Sequence, residues 1–272
     1  MNILDLSKRL AKLGWIAGAT FNVTAVKAAV RDYQSWWGLK PDGVAGSVTE
    51  RHLNAFRFCG LPDRMDMQAQ LCKWPHKKIT WNITGQLPSL SAADQKAAYH
   101  LAWSYWAEVC DIQPEYSSDP RTANVLMGAG RIDQQGGTLA WSELPCGNVS
   151  STAQLDQLYG TEEPYGVFDI GEPSQGRIDI VRVCCHECGH VIGIPHIATG
   201  NLLAPIYSTS IRKPRDGDKA EAVQRHGPPV APVPPPTPVP PATTDLDALE
   251  DAQIAWSSNR RPQRWRHTKI GA

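Results

Sequence analysis

The sequence predicts an α+β chain in which a small helical domain precedes a larger domain of strands and helices. Two observations support this fold class. Residues 1–58 carry apolar side chains at helical spacing, and from Lys73 onward β-branched strand segments alternate with helical ones. A length of 272 residues is enough for one or two domains with a substantial core.

Three helices are expected in the N-terminal domain. They cover about residues 4–13, about residues 24–37, and a stretch that begins near Ser47 or Thr49. The glycine- and proline-containing segment 38–43 supplies the turn after the second helix. Trp36 and Trp37 end that helix, and we expect them to pack in the core rather than to form a platform for sugars.

The larger domain is expected to mix short strands with longer helices. Strands are predicted at about 78–84, 124–128 and 137–141, and helices at about 91–110 and 178–188. Ser91 followed by Asp94 is typical of a capped helix start. The polar stretch 142–176, which also contains glycine and proline, is expected to form long loops.

These patterns divide the chain into five predicted segments. They are a helical domain at 1–58, a linker at 59–72, the larger domain at 73–227, a proline-rich linker at 228–244 and a disordered tail at 245–272. Prolines concentrated between Pro228 and Pro241 favour an extended linker that cannot join a core.

Composition excludes several classes of partner. Lys+Arg and Asp+Glu both number 27, so the formal net charge is zero and no global basic field attracts nucleic acid. No apolar run approaches the ~18 residues of a membrane-spanning helix. Residues 1–12 mix apolar and charged side chains, so no signal peptide is readable. Export by another route, action where the protein is made, and a misassigned gene start all remain open.

The chain has an odd number of cysteines, seven in all. They are too sparse for a disulfide scaffold, and at least one must lack a partner within the chain. Such a thiol can be inert, reactive or a metal ligand.

A metal-binding pattern lies between His186 and His196. On a helix, His186 and His190 are one turn apart and project from the same face, so both can reach one Zn²⁺ at about 2.0–2.1 Å. Gly193 suits a left-handed residue that ends the helix and brings His196 back as a third ligand. Three protein ligands leave the fourth position open, which is typical of a catalytic zinc.

Glu187 lies beside the first of these ligands. Zinc lowers the pKa of a bound water toward about 7, and Glu187 can take the water's proton as general base. The carboxyl group could then pass that proton to the leaving amine of a cleaved peptide bond.

The extended pattern is the metzincin signature, and Gly189 makes the chain resemble the matrixins, the matrix metalloproteinase group. The resemblance covers about residues 1–227 and implies a zinc endopeptidase with one catalytic zinc, a twisted, mostly parallel sheet and an active-site helix. It also implies an extracellular location, and we expect a monomer. Leu203 stands where the family has a methionine beneath the zinc site, which is a volume-conserving change.

Two segments resemble the substrate-binding parts of matrixins. Thr138, Leu139 and Ala140 correspond to the family's edge strand, and Pro205, Ile206 and Tyr207 correspond to the wall of the specificity pocket. The resemblance therefore implies a protein or peptide substrate in extended conformation, held by its backbone along a sheet edge.

The resemblance also bears on further metal ions. Asp169 and Glu172 belong to a segment similar to the family's Phe-Asp-x-x-Glu calcium segment, so they are candidate Ca²⁺ ligands. A solvated acidic loop is the alternative. The family's second, structural zinc is not expected, because Trp141 and Val167 stand where its histidines would fall.

Residues 57–63 resemble the matrixin cysteine-switch motif, in which a cysteine thiolate fills the open zinc position and keeps the enzyme latent. Cys59 is the corresponding candidate ligand, and a soft thiolate is a strong ligand for zinc. Phe58 separates Arg57 from Cys59, so the sequence leaves the supporting ion pair between Arg57 and Asp63 in question. A buried cysteine between two domains is the alternative.

Residues 1–58 resemble peptidoglycan-binding-like prodomains, and three functions follow. The first is a zinc endopeptidase made latent by its own N-terminal domain. The second is a cell-wall-binding or virion-associated protein in which peptidoglycan binding is the main role. The third is a peptidase that cuts the cross-bridge peptides of peptidoglycan.

Overall fold

Three amphipathic helices build the N-terminal part of the chain in the computed structural model, which describes residues 1–55, 57–64, 72–147, 149–168 and 176–230. They are α1 (Ile3–Lys12), α2 (Val23–Trp36) and α3 (Ser47–Leu53). Asn2 and Asn22 cap the first two helices, since each side chain accepts a hydrogen bond from a first-turn amide. Leu10, Val30 and Tyr33 lie in the small core between these helices.

The larger part of the chain is built on a six-stranded sheet. Its strands are β1 (Arg57–Cys59), β2 (Lys78–Ile83), β3 (Gln113–Tyr116), β4 (Val125–Gly130), β5 (Thr138–Ser142) and β6 (Leu155–Gly160). They lie in the order β1-β5-β6-β4-β2-β3, and only the β5–β6 pair is antiparallel among the pairs described. A second, two-stranded sheet pairs β7 (Tyr165–Gly166) with β8 (Ile178–Asp179). The predicted α+β class with a mostly parallel sheet is confirmed.

Two helices pack against each other in the main core. α4 (Ala92–Ala107) begins at Ser91, whose side chain accepts a hydrogen bond from the Asp94 amide, as predicted. α5 is Ile180–Val191, and the Trp106 indole of α4 donates a 2.7 Å hydrogen bond to the Cys185 carbonyl of α5. α6 (Asp216–His226) closes the described part of the chain. No helix among the described residues is long and apolar enough to cross a membrane.

One expectation about the loops was wrong. Residues 142–176 were expected to lack regular structure, but β6 and β7 lie within them. β6 buries Gln157 where an apolar residue would normally mark the inner face, so its sequence lacks the alternation of a half-buried strand. The Gln157 amide is satisfied instead by the Ser142 and Tyr159 hydroxyls.

Two of the seven cysteines are paired with each other in the structure. Cys72 and Cys146 form a disulfide that joins the start of the larger domain to the β5–β6 connection. The remaining cysteines of the described ranges, Cys59, Cys110, Cys184, Cys185 and Cys188, are outside disulfides and buried.

Candidate metal centre

Helix α5 and the turn after it bring three histidines together. His186 and His190 lie one turn apart on α5 and are fully buried. After the helix, Gly193 adopts a φ of 97°, and a Cβ there would lie 2.0 Å from the Cys72 carbonyl oxygen. Only glycine fits such a left-handed residue in so close a backbone contact. The chain turns at this point and returns His196 to the other two imidazoles.

Backbone carbonyls orient each imidazole. The Nδ1 atoms of His186, His190 and His196 lie 2.8, 2.8 and 2.7 Å from the carbonyl oxygens of Leu202, Ile194 and Pro62. A carbonyl oxygen only accepts hydrogen bonds, so each Nδ1 carries the proton and each Nε2 presents its lone pair to the centre of the cluster. Histidine ligands of metals are typically held in this way.

Cys59 completes the cluster, which we call the metal centre (Cys59, His186, His190 and His196). Its Sγ lies 3.0 Å from His196 Nε2 and 3.5 Å from His190 Nε2. All four residues are buried, and their ligand atoms lie within 4.8 Å of one another. Within the described ranges this is the only such group of three or more His, Cys, Asp or Glu residues. One sulfur and three imidazole nitrogens fit tetrahedral Zn²⁺.

Burial sets the protonation of the cluster. It lowers the pKa of His190 to about 4, and it lowers the pKa values of His186 and His196 well below their usual range. All three imidazoles are therefore neutral at physiological pH, as metal ligands must be. Burial also raises the pKa of the Cys59 thiol, and the nearby Glu187 carboxylate adds to that shift.

Glu187 lies beside the metal centre with neither carboxyl oxygen hydrogen-bonded. It is fully buried, and burial raises its pKa well above the usual range. Leaving a buried carboxyl group unsatisfied is costly. A carboxyl group in such a position is suited to exchange a proton with a group bound at the metal centre.

Small and apolar residues pack under the metal centre. A Cβ at Gly189 would lie 2.7 Å from Trp106 Cζ2 and 2.8 Å from Leu203 Cδ2. Leu203 thus lies directly beneath α5, at the place expected from its sequence position. The Asp218 carboxylate accepts hydrogen bonds from the Leu202 and Leu203 amides and holds this turn. Sequence reasoning missed Asp218, although its position in the first turn of a polar helix was a usable signal.

Strand β1 covers the predicted substrate-binding residues. It pairs in parallel with β5, with Arg57 opposite Thr138 and Cys59 opposite Ala140. On its other side Arg57 forms an isolated antiparallel bridge with Ile206. The Tyr207 hydroxyl accepts hydrogen bonds from the Asp179 amide and the Arg182 guanidinium. Leu139 is buried in β5, and Pro205 is buried next to Ile206.

An ion pair that the sequence left in question is present. Arg57 Nη1 lies 2.7 Å from Asp63 Oδ1, and both side chains are buried. The Trp15 indole donates a 3.1 Å hydrogen bond to the same carboxylate, and the Arg57 guanidinium lies over the Trp37 ring. We call residues 57–63 the latent segment, because they resemble the motif that keeps matrixins latent. The N-terminal helical domain thus holds this segment in place. Trp37 packs in that domain's core and Trp36 lies partly buried beside it.

Calcium and a second zinc were the other metal ions considered from the sequence. Asp169 and Glu172, the candidate calcium ligands, lie outside the described residues. Trp141 lies in β5 and Val167 is exposed, at the positions where a second zinc was not expected.

Two family models match the chain. The Matrixin model matches residues 73–225, and the Putative peptidoglycan binding domain model matches residues 2–53. The first match covers more than half of the chain. The resemblance seen in the sequence is therefore confirmed, whereas the exact domain boundaries stay predictions.

Matrix metalloproteinases are among the similar curated proteins. Matrix metalloproteinase-16 of Homo sapiens is 23% identical over 235 residues, which cover 75% of this chain and 37% of that protein. Matrix metalloproteinase-C of Caenorhabditis elegans is 25% identical over 196 residues, covering 66% of this chain and 32% of that protein. The chain thus spans about a third of the length of these relatives.

Replacing Gly189 tests the packing under the metal centre. Gly189→Ala should destabilise the chain by about 1–3 kcal/mol and lower its zinc content, because the new methyl group would push α5 away from Trp106 and Leu203. Unfolding midpoints and zinc analysis by mass spectrometry would measure both effects. Gly18→Ala is the control, since a Cβ there meets no atom within 4 Å. Equal zinc content and stability in the two variants would contradict the close packing.

Proposed function

The chain belongs to the matrixin family, whose members are zinc metalloendopeptidases, and from this we propose that it hydrolyses peptide bonds in an extended protein or peptide. The observation that carries the proposal is the convergence of Cys59 and three histidines around one point, with Glu187 beside them. His186, His190 and His196 would hold the zinc, and Cys59 would be its fourth ligand in the latent form. When bound, the zinc supplies Lewis-acid polarisation of a carbonyl group and activation of water.

Glu187 is the proposed general base and acid. The Glu187 carboxylate lies close enough to Cys59 to raise the pKa of its thiol, so withdrawal of the thiol would open space for water near the carboxylate. The carboxylate would accept a proton from that water and deliver it to the nitrogen of the departing amine. Burial raises the pKa of Glu187, which suits a carboxyl group that holds a proton between these two steps.

The strand pairing of the latent segment supports the proposed mode of substrate binding. The Gly60 amide donates a 3.1 Å hydrogen bond to the Ala140 carbonyl, so this edge of β5 presents backbone groups outward. A substrate strand could use the same groups once β1 has left. The wall at Pro205, Ile206 and Tyr207 would then contact one substrate side chain. The bridge from Arg57 to Ile206 indicates that a strand can pair there too.

We further propose that the latent segment keeps the enzyme inactive. Cys59 occupies the ligand position, and β1 occupies the sheet edge that a substrate would need. The buried ion pair between Arg57 and Asp63 stabilises this arrangement, since removing one partner would leave a buried charge uncompensated.

A second candidate function is cleavage of the cross-bridge peptides of peptidoglycan. It is favoured by the match of residues 2–53 to a putative peptidoglycan-binding domain. The disulfide between Cys72 and Cys146 agrees with action in an oxidising compartment, such as the outside of a cell. Calcium binding and a monomeric state remain predictions.

Replacing Cys59 tests latency. In the full chain, Cys59→Ala should raise the cleavage rate of an unstructured protein substrate, by roughly tenfold if the thiol contributes about 1.4 kcal/mol to the blocked state. A fluorogenic casein assay would measure the rate. Cys110→Ala is the matched control, because Cys110 is also a buried thiol outside any disulfide but lies away from the metal centre. An unchanged rate in Cys59→Ala would eliminate the latency proposal.

Replacing Glu187 tests the mechanism. In the Cys59→Ala background, Glu187→Gln should lower kcat by about 10²–10⁴ because the amide cannot accept the proton, while zinc content stays the same. Glu108→Gln, an exposed change at the C-cap of α4, should leave kcat unaltered. A Glu187→Gln enzyme that keeps full activity would rule out this role for the carboxylate.

Purified cell wall tests the second candidate function. The full chain carrying Glu187→Gln should sediment with peptidoglycan, and the Cys59→Ala chain should release peptide amines from it. The release would be measured by labelling the new N-termini that cleavage creates. If casein is cleaved but neither wall binding nor release occurs, the substrate is protein and the peptidoglycan proposal fails.

A further inference from the structure

The ladder between β5 and β6 ends near the N-terminal end of β5. The ladder between β5 and β6 pairs Ala140 with Tyr159, Trp141 with Leu158 and Ser142 with Gln157. In this antiparallel register Leu139 faces Gly160, the last residue of β6, and Thr138 lies beyond the end of that strand. On the outer side the same two residues lie next to the latent segment, which pairs Arg57 with Thr138.

Side chains hold the backbone where the ladder with β6 ends. The Tyr165 hydroxyl donates a 2.6 Å hydrogen bond to the Leu139 carbonyl. The Asp133 carboxylate accepts a 2.9 Å hydrogen bond from the Thr138 amide, and the Glu163 carboxylate accepts one of 2.9 Å from the Gly136 amide. Glu162 adds two more by accepting from the Ile132 and Asp133 amides. Every one of these bonds fixes the backbone of β5 or of the loop that enters it.

Tyr165 also connects β5 with the metal centre. It is fully buried, and within the two-stranded sheet it pairs with Ile178. The next pair is Gly166 with Asp179, and Asp179 caps the N-terminus of α5 through the Val181 amide. A short path of hydrogen bonds and strand pairs therefore runs from the Leu139 carbonyl to the helix that carries His186 and His190.

We propose that Tyr165 is a positioning residue for peptide binding, assisted by Glu163 and Asp133, which holds the outer edge of β5 in register with the metal centre. The inference rests on the proposed function, in which the substrate pairs with β5. In the latent form the same edge holds β1. Loss of the Tyr165 hydroxyl would leave the Leu139 carbonyl buried without a donor, and it would loosen any strand paired at Thr138 and Ala140.

The first test uses the full chain and needs no catalytic activity. Modification of Cys59 by N-ethylmaleimide would be timed, and the modified thiol identified by peptide mass spectrometry. Tyr165→Phe should speed Cys59 modification roughly tenfold, because one buried hydrogen bond to the strand opposite β1 is lost. Tyr99→Phe is the matched control, since Tyr99 is equally buried but lies on α4, where its hydroxyl accepts a hydrogen bond from the Gln95 side chain. Equal rates in the two variants would overturn the proposal.

Glu163 provides a second pair of variants in case Tyr165→Phe folds poorly. Glu163→Ala removes the acceptor of the Gly136 amide and should speed Cys59 modification. Glu163→Gln keeps an acceptor oxygen and should restore a rate within about twofold of the unmodified sequence. If Cys59 were modified fast in both variants, the lost charge rather than the lost hydrogen bond would be the cause, and the positioning role would be contradicted.

A kinetic test in the Cys59→Ala background completes the design. Tyr165→Phe should raise KM for an extended peptide about tenfold and leave kcat within about twofold, since strand pairing is altered but the metal centre is not. Inhibition by acetohydroxamate, too small to pair with β5, should be unchanged. A fall in kcat with an unchanged KM would overturn the proposal. If the background shows no peptidase activity, the proposed function fails while the thiol test still decides the role of Tyr165.

Discussion

The rest of the structure depends on the contact between the Cys59 thiol and three buried imidazoles. The thiol is 131 residues from His190 along the chain, so the contact requires the N-terminal helical domain and the larger domain to be packed as one unit. Each imidazole is fixed by a backbone carbonyl, and the carbonyl that holds His196 belongs to Pro62 of the latent segment. One stretch of chain thus supplies both a ligand atom and the partner that orients another ligand.

The N-terminal domain contributes to the metal centre through aromatic packing. The Trp15 indole donates a hydrogen bond to the Asp63 carboxylate, and the Trp37 ring lies under the Arg57 guanidinium, so both aromatic side chains contact this buried ion pair. A domain that matches a peptidoglycan-binding model therefore also stabilises the latent segment. Of the two residues considered as a sugar platform, Trp37 packs in the helical core and contacts Arg57, and Trp36 packs partly buried beside it.

The sheet edge explains how inhibition and substrate binding would share one surface. β1 runs parallel to β5 and ends at the metal centre, so the same edge presents hydrogen-bonding groups and leads to the catalytic residues. Where the ladder between β5 and β6 ends, the side chains of Tyr165, Glu163 and Asp133 hold the backbone of β5 and of the loop that enters it. Rigidity at that point matters because a backbone shift of about 1 Å at a substrate-positioning strand is enough to impair catalysis.

The sequence by itself determined the features that depend on local spacing. The separation of His186 and His190, the turn at Gly193 and the caps of the helices follow from the geometry of a few neighbouring residues, and the family resemblance followed from them. Tertiary structure decided what long-range contacts create. The ion pair of Arg57 with Asp63 forms although Phe58 separates Arg57 from Cys59. It forms because β1 places Arg57 against the helical domain, and no local sequence pattern encodes that contact. β6 was missed for the same reason, since its buried Gln157 is acceptable only when Ser142 and Tyr159 lie beside it in the folded chain.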